Sequence, residues 1–438
     1  MRGMRRSMRK CDILCLEWGT KNRDSNILMP VLVYLKTEEK YQIEISSLAY
    51  GVLKLIQYHP KMLLVANPAG APELSRVIKL AFFLGIKTVS LISEGDVVDD
   101  PKRAEGFFWG WNFEKQCYLD LFLLWSERSQ KIFERYILES KEFNIKVSGA
   151  TGFDRYKLLK STYMTKEQFC IKHRKTYDKI IGITSWGFSI CFANQTNDEK
   201  NRFYKKSCMK LREVLYDIVS HFEDILFVLR LHPGEIGSEN EFVGLQDFEN
   251  VIIIQAKDEP VSDNINACDM WMAFDSTTCM EAWLLEKPTL LINPYPIEFS
   301  RSIIHKGSPI MRDAHDTISC IEEFYQNGKI EAFECLNGER KKIIQDVIGY
   351  SDGKNFVRAG KEIITIMNRD INRKTRITIE FLRELLKDCI KWMWHHSCFI
   401  KIRDFEQAAS YYKDFVPKEC EEEEEMYYNA IYGKGDVL

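Results

Sequence analysis

The sequence lacks the features that mark several classes of protein. Its longest apolar runs, such as Val251–Ile254, are far too short to span a bilayer. Its 61 Lys and Arg residues nearly balance 64 Asp and Glu residues, and the net charge of −3 gives no global reason to bind nucleic acid. No internal repeat is visible. With 45% hydrophobic and 29% charged residues, the 438-residue chain is predicted to form two or three globular domains.

The 13 cysteines suggest neither a disulfide framework nor a metal site. They are scattered, no C-x-x-C pair occurs, and the nearest two, Cys11 and Cys15, fall on one predicted strand. Reduced thiols of a cytoplasmic protein are the simplest interpretation. Met1–Lys10 carries five positive charges, but the short stretch that follows contains Asp12 and Glu17. We therefore do not expect a signal peptide.

Short apolar runs alternate with amphipathic stretches along most of the chain, which favours parallel strands joined by crossover helices. A polar, charged helix around Thr165–Lys179 interrupts the alternation. We predict an α/β protein with a Rossmann-like domain at 1–164, a second at 165–368 and a helical extension at 369–438. The main predicted strands are Cys11–Glu17, Tyr41–Ile45, Met62–Val65, Ile86–Ile92, Leu121–Leu124, Lys179–Thr184, Ile225–Leu231, Val251–Gln255, Asp269–Phe274 and Thr289–Ile292.

Ligands of open parallel sheets bind where the strands end, and one such segment combines Ser276, Thr277, Thr278 and Glu281. Hydroxyls that open a helix offer hydrogen-bond donors to a nucleotide phosphate. Glu281, further along that helix, could accept hydrogen bonds from a ribose diol. Alternatively, Ser276 is a helix N-cap and Glu281 a solvated residue, and the segment alone leaves both interpretations open.

Two other strand ends of the second domain supply candidate donor-binding residues. Arg230, His232 and Pro233 follow one buried strand, and a histidine there can donate to a phosphate oxygen or transfer a proton. Ser185 and Gly187 follow the first strand, where backbone amides could approach a phosphate. The alternatives are a histidine packed at a turn and an ordinary Gly-Ser turn.

Two loops of the first domain carry candidate catalytic and acceptor-binding residues. Glu94 and Asp96 flank Gly95, which could permit an unusual backbone, and either carboxylate could be the general base for an acceptor hydroxyl. Arg23 and Asp24 follow the first strand as candidate acceptor-binding residues. An acidic turn and a plain surface turn are the alternatives.

The order of these motifs resembles that of the two-domain GT-B glycosyltransferases, and most of all the bacterial surface-carbohydrate transferases of the sialyltransferase and Kdo-transferase group. The motifs that carry the resemblance are Glu94-Gly95-Asp96, His232-Pro233 and Ser276-Thr277-Thr278 with Glu281. It covers roughly residues 11–368 and implies two Rossmann-like domains that face a cleft. The sialyltransferases place two acids before the glycine, whereas here Ser93 and Glu94 precede it and Asp96 follows, so either acid remains the candidate base.

The resemblance implies an enzyme that moves a sugar from a nucleotide-activated donor to a surface polysaccharide or glycolipid. No Asp-x-Asp pair follows a strand of the second domain, and we expect neither a metal nor a cofactor besides the nucleotide-sugar substrate. A nucleotide-sugar 2-epimerase of the same fold is an alternative, although its early Gly-Thr-Arg-Pro-Glu run is matched only in part by Gly19–Arg23. A non-catalytic nucleotide-sugar-binding protein, which would need no base, is the other alternative.

The extension contains a helical segment with apolar residues and with Arg383, Lys387 and Lys391 at a spacing of four. It could lie at a membrane interface, or it could dock on the first domain through its apolar face, which is the interpretation that we favour. The acidic run Glu421–Glu425 is expected to be solvated. We predict a cytoplasmic protein and leave open a peripheral contact at the inner face of the membrane.

Overall fold

The computed structural model describes residues 10–21, 23–67, 70–137, 144–189, 198–235, 240–295, 302–371, 373–396 and 415–433. The basic residues 1–9, Asn22 and residues 397–414 of the extension lie outside the described residues. The chain divides into two compact units. The first comprises residues 1–158 and 345–438, and the second comprises residues 159–344.

The first unit contains a six-stranded parallel sheet in the order β2-β1-β3-β4-β5-β6. Its central strands are buried on both faces, as the continuous apolar runs predict. The strands are β1 Ile13–Glu17, β2 Ile43–Ser47, β3 Met62–Ala66, β4 Lys87–Leu91, β5 Leu121–Leu124 and β6 Ile145–Val147.

The helices of the first unit begin and end at the expected signals. Ser126 caps the helix that follows β5 in a capping box with Ser129, and Gly85, with a φ of 81°, ends the helix before β4. The α-helices are Arg23–Glu38, Gly51–Tyr58, Pro72–Phe83, Pro101–Trp109, Glu127–Tyr136, Arg155–Leu158, Asn355–Asn368, Ile379–His396 and Pro417–Tyr432, with 3₁₀ turns at Leu48–Tyr50 and Thr151–Phe153.

The second unit contains another six-stranded parallel sheet, in the order β12-β11-β10-β7-β8-β9. Its strands are β7 Lys179–Thr184, β8 Ile225–Arg230, β9 Val251–Ile254, β10 Met270–Ala273, β11 Thr289–Ile292 and β12 Ile310–Met311. Its α-helices are Lys166–His173, Asp198–His221, Val261–Ala267, Thr278–Leu284, Ala314–Asn327, Glu331–Glu334 and Asn337–Ile348, with 3₁₀ turns at Lys160–Thr162 and Ile303–Gly307; Asn337–Ile348 runs on into the first unit.

Two details of the architecture differ from the sequence-based expectation. The short edge strands β6 and β12 are not among the predicted strands, because three and two residues carry too little apolar pattern to be recognised. The helix Asn355–Asn368 belongs to the first unit, whereas a boundary at residue 368 assigns it to the second. It packs there on the helix Arg23–Glu38, with Phe356 and Tyr34 in edge-to-face contact. Among the described helices, none is long and apolar enough to cross a membrane.

The centre of the second sheet depends on one glycine. A Cβ atom at Gly182 of β7 would lie 2.1 Å from the ring of Trp271, which is fully buried on β10. Since the ring cannot move out of a close-packed core, we expect Gly182→Ala to lower the free energy of unfolding by about 1–3 kcal/mol. The midpoint of urea unfolding measures the effect. Gly338→Ala is the control, because a Cβ atom there would meet no described atom within 4 Å, and an equal loss in both variants would contradict this account.

Candidate functional site

The ends of three strands meet in the second unit where the order of the sheet reverses. Thr184 at the end of β7 pairs with both Arg230 of β8 and Ala273 of β10. Adjacent strands lie about 4.8 Å apart, so the segments after β8 and β10 emerge about 10 Å apart on either side of the segment after β7. Ligands of open α/β sheets bind at such a reversal, which makes this edge the candidate site of the second unit.

His232, two residues after β8, is the side chain best prepared to bind an anion at this edge. Its Nδ1 accepts a hydrogen bond from the amide of Gly234 (3.1 Å), which fixes the neutral tautomer with its proton on Nε2. Partial burial lowers the pKa of His232, although Glu235 opposes the shift. A neutral imidazole therefore presents an N–H donor. Pro233 is exposed in the same turn and holds no ligand-binding group.

The hydroxyl cluster after β10 is ordered by an internal network. The Oγ1 of Thr278 accepts a hydrogen bond from the indole Nε1 of Trp271 (2.9 Å) and lies 2.9 Å from the Oγ of Ser276. With Thr278 as the donor in that pair, the O–H of Ser276 is left to donate outwards. Thr277 is exposed, and Glu281 is half-buried in the first turn of the helix. Ser276 and Thr277 are therefore the hydroxyls best placed for a ligand.

The amides after β7 are used within the protein. The amide of Ser185 donates to Arg230 O (2.8 Å), that of Trp186 to Glu241 Oε1 (2.9 Å), and that of Gly187 to Ser185 Oγ (3.1 Å). Gly187 has a φ of 76°, which accounts for a glycine here. This segment supports the edge of the site and leaves none of these three amides for a phosphate.

Two carboxylates, which the sequence analysis missed, organise the same segment. Ser185 Oγ donates to Glu235 Oε2 (3.1 Å), and Glu241 is 1% exposed. Burial raises the pKa of Glu241 to about 7. Because two acids lie beside Ser185, an anion is poorly accommodated at Ser185 itself. No spacing rule connects residues 235 and 241 to the end of β7, which is why only the structure identifies them.

Arg230 is a buried part of the scaffold. Its guanidinium donates to Asn264 Oδ1 (2.6 Å) and Ala256 O (3.0 Å), and the residue is 7% exposed. These bonds tie the end of β8 to the helix Val261–Ala267. The predicted contact of Arg230 with the donor stays a prediction.

In the first unit, the segments after β1, β3 and β4 lie side by side, since Leu16 pairs with Val65 and Val65 with Ser90. Asn67 follows β3 with a left-handed backbone (φ 58°). Its Oδ1 accepts the amide of Ser93 (3.0 Å), and this bond shapes the segment after β4. The sequence analysis did not select Asn67.

A glycine is needed at position 95 because the structure leaves no room for a side chain there. A Cβ atom there would lie 2.3 Å from the ring of Trp125, whose Nε1 donates to Ile92 O (2.8 Å). The φ of Gly95 is not in the left-handed region, so the unusual backbone that we expected is absent. The close packing on the indole therefore explains the glycine between Glu94 and Asp96.

Glu94 and Asp96 have different surroundings. Glu94 is exposed and forms an ion pair with Arg23, which joins two predicted site residues from different strand ends. Asp96 is largely buried, with Oδ1 3.8 Å from Arg128 Nη1. Asp24 lies beside this pair; burial raises its pKa, and Arg23 partly offsets the effect. The structure thus brings Arg23, Asp24 and Glu94 together and holds Asp96 against Arg128.

A buried carboxyl pair lies behind this edge. Glu17 ends β1 and is 1% exposed, and Glu423 comes from the helix Pro417–Tyr432, named here the end helix. Burial raises the pKa of Glu17 to about 8, with Glu423 and Asp24 adding to the shift, and burial raises the pKa of Glu423 to about 7. Ser25 Oγ donates to Glu423 (3.2 Å).

The acidic run of the end helix is therefore not simply solvated, which corrects the expectation from the sequence. Glu422 pairs with Lys21 (3.1 Å), Glu424 pairs with Lys36, and Glu423 is buried. A run of like charges forms a docking face because its basic partners lie far away in the sequence.

Among the described residues, one cluster has metal-ligand geometry, namely Asp313, His315 and Asp316. All three are exposed, and Asp313 caps the helix Ala314–Asn327 through the amide of Asp316 (2.9 Å). Capping of the helix explains Asp313, and we assign no metal to the cluster.

No family model and no curated protein matches the sequence. Among solved structures, the chain is similar to a putative UDP-N-acetylglucosamine 2-epimerase from Listeria monocytogenes, with a TM-score of 0.54 and 14% identity over 84% of this chain and 100% of that one. It is also similar to UDP-GlcNAc 2-epimerase from Neisseria meningitidis bound to UDP-GlcNAc, with a TM-score of 0.53 and 13% identity over 81% of this chain and 100% of that one.

The wall teichoic acid polymerase TagF is another structural relative, with a TM-score of 0.52 and 13% identity over 82% of this chain and 90% of that one. At these identities the likeness shows the fold. The chain has the two-domain, GT-B-like α/β architecture that its motifs predicted. The narrower resemblance to the sialyltransferase and Kdo-transferase group stays a prediction.

The buried carboxyl pair predicts how stability depends on pH. Unfolded glutamates ionise near the ordinary value of 4.5, whereas the folded protein keeps protons on Glu423 and Glu17 up to about 7 and 8. The contribution of Glu17 and Glu423 to docking of the end helix is thus greatest below about pH 4.5 and falls as the pH rises to 8. Glu423→Gln should reduce the loss of stability between pH 5 and 8, by about 2 kcal/mol.

Thermal unfolding and hydrogen exchange in the end helix at several pH values measure this effect. Glu421→Gln is the matched control, because Glu421 is exposed on the same helix. A pH dependence that is identical in the parent protein and in Glu423→Gln would contradict the assignment.

Proposed function

We propose that the protein is a glycosyltransferase that moves a sugar from a nucleotide-activated donor to a hydroxyl of a surface polysaccharide or glycolipid. The observation that carries this proposal is the arrangement of His232 and Ser276 on either side of the strand-order reversal of the second sheet. The GT-B-like fold and the structural relatives support the proposal. Two of these relatives are UDP-GlcNAc 2-epimerases by name, and one is a wall teichoic acid polymerase.

The second unit is proposed to bind the donor phosphates. The Nε2–H of His232 and the hydroxyls of Ser276 and Thr277 would donate to phosphate oxygens, and Glu281 would accept hydrogen bonds from the ribose. When the bond to the anomeric carbon breaks, negative charge grows on the leaving phosphate, and preorganised donors stabilise that charge without reorientation. The proposal needs no metal, because neutral donors carry out this role.

The first unit is proposed to bind the acceptor and to supply the base. Glu94 is the preferred base, because its carboxylate is exposed after the end of β4, where an acceptor hydroxyl could reach it. Asp24 would hydrogen-bond to the acceptor. The buried Asp96, held near Arg128, would position the segment. The acceptor oxygen would attack the anomeric carbon as Glu94 takes its proton and the nucleotide leaves.

A nucleotide-sugar 2-epimerase is the second candidate, since two of the structural relatives carry that name. The two reactions differ in their need for an acceptor. An epimerase converts the donor in the absence of any acceptor, whereas a transferase releases nucleotide only as fast as an acceptor or water takes the sugar. NMR spectra of UDP-GlcNAc incubated with the protein alone separate the two.

The donor site predicts the effect of two substitutions. His232→Ala and Ser276→Ala each remove a hydrogen bond to a charged phosphate, worth about 1.5–3 kcal/mol, so affinity for the best-bound nucleotide should fall about 10- to 150-fold. Calorimetric titration with CMP, UDP, GDP and CDP measures it. His315→Ala, an exposed histidine elsewhere in the second unit, is the control. Unchanged affinity in both site variants would refute the donor site.

The proposed base predicts a different pattern in the first unit. Glu94→Gln should lower turnover about 10²- to 10⁴-fold with donor affinity unchanged. Asp96→Asn should leave most of the activity, because the Asp96 side chain is largely buried and lies near Arg128. Steady-state rates with excess chelator measure both and also test metal independence. If Asp96→Asn is the inactive variant, the roles are reversed; if both turn over at the parent rate, neither acid is the base.

A further inference from the structure

The helix Ile379–His396, named here the tail helix, docks on the first unit through a mixed face that carries both apolar and acidic side chains. Phe381, Glu384 and Asp388 are buried, at 3%, 6% and 7% exposure. Asp388 Oδ2 accepts the amides of Val52 (3.0 Å) and Leu53 (3.2 Å) at the start of a helix. Docking on the first unit is what we favoured from the sequence, and Phe381 of the predicted apolar face is buried. Leu386, Ile390 and Met393 of that face are exposed instead.

The outward face of the tail helix is an apolar stripe. At 3.6 residues per turn its members fall within an arc of about 80°, opposite the buried acids. They are Ile379 (87% exposed), Leu382 (56%), Leu386 (61%), Ile390 (47%) and Met393 (54%). A contiguous exposed row of this size on a folded unit marks an interaction surface.

The charges of the tail helix are separated by sign. All three of its acids have partners on the unit, since Glu380 pairs with Lys79 (3.1 Å), Glu384 with Arg76 (3.2 Å), and Asp388 with backbone amides. The cations Arg383 and Lys387 form a cationic row along one edge of the apolar stripe, whereas Lys391 is half-buried on the docked side, near Asp388.

Arg383 and Lys387 also contact Glu384, at 3.2 Å and 2.8 Å, but Arg76 shares that carboxylate, so one negative charge faces three positive ones. Both side chains remain more than half exposed. Lys374 and Arg376, just before the helix, are exposed as well.

We propose that the tail helix is a membrane-binding surface, whose apolar stripe inserts into the interface of an anionic bilayer while the cationic row contacts lipid phosphates. An apolar face edged by basic residues is the pattern of interfacial helices, and each Lys or Arg near an anionic leaflet adds attraction. Here Phe381, Glu384 and Asp388 hold the helix on the first unit, and the apolar stripe faces outwards. The inference goes beyond the proposed reaction, because it concerns where the enzyme works.

The cationic row favours an anionic bilayer over a second copy of the chain as the partner of the stripe. A second copy would bring an identical row of cations to the contact, whereas lipid phosphates neutralise the row. Residues 397–414, which lie outside the described residues, are the other alternative occupant, and a vesicle-binding experiment with two further measurements separates all three.

The test is flotation of the full-length protein with vesicles of phosphatidylcholine, with and without one-third phosphatidylglycerol. We expect partition into the anionic vesicles that weakens with added salt. Leu386→Asp with Ile390→Asp, and separately Lys387→Glu, should each reduce it at least tenfold. Ile171→Asp and Lys341→Glu are matched controls at exposed positions of the second unit.

Circular dichroism and nucleotide titration check that the variants fold. Absence of flotation, or equal flotation of the parent and the stripe variants, overturns the proposal. Concentration-dependent dimerisation in sedimentation experiments that the stripe variants abolish would assign the stripe to a second copy instead. Protection of the parent stripe from hydrogen exchange without vesicles, in a monomer, would assign it to residues 397–414.

Discussion

Parallel pairing of strands that are buried on both faces is the constraint on which both units depend. Such strands need crossover helices on each side, and the polar groups that a ligand could reach lie mainly where the strands end. The polar groups of each unit therefore collect along one edge of its sheet. In the second unit that edge carries His232 and Ser276, and in the first unit it carries Arg23, Asp24 and Glu94. Close packing also fixes individual residues, since Gly182 lies against the ring of Trp271 and Gly95 against that of Trp125.

The extension acts on the first unit through buried acids. Glu423 of the end helix lies beside Glu17, and Asp388 of the tail helix binds the amides that open another helix. Burying a carboxyl group costs free energy unless the group is hydrogen-bonded or protonated. Asp388 is hydrogen-bonded to amides, and burial raises the pKa of Glu17 and so favours its protonated form. One consequence is a pH-dependent contact. The other is a helix that docks through Phe381, Glu384 and Asp388 and leaves its apolar stripe exposed.

Much of the fold could be predicted from the sequence, because buried parallel strands are continuous apolar runs and helix ends have recognisable residues. Strands β1, β3, β5 and β8 and the cap at Ser126 illustrate this. The two-residue strand β12 has no such pattern. The site was predictable only in outline. Residue type and position at a strand end pointed to His232 and Ser276, but nothing in the sequence shows that Arg230 turns to Asn264 or that Glu241 holds the amide of Trp186.

The sequence by itself determined the α/β class, the two sheets and the strand ends where polar residues gather, because local apolar pattern and turn chemistry decide these features. Tertiary structure alone decided which of those residues face solvent, since that depends on partners distant in the chain. Glu94 is exposed and Asp96 is held because Arg23 and Arg128 lie where the sheet order places them. The acidic run docks because Lys21 and Lys36 lie opposite it, and the tail helix turns its apolar stripe outwards because Asp388 binds two amides at the start of a helix on the first unit.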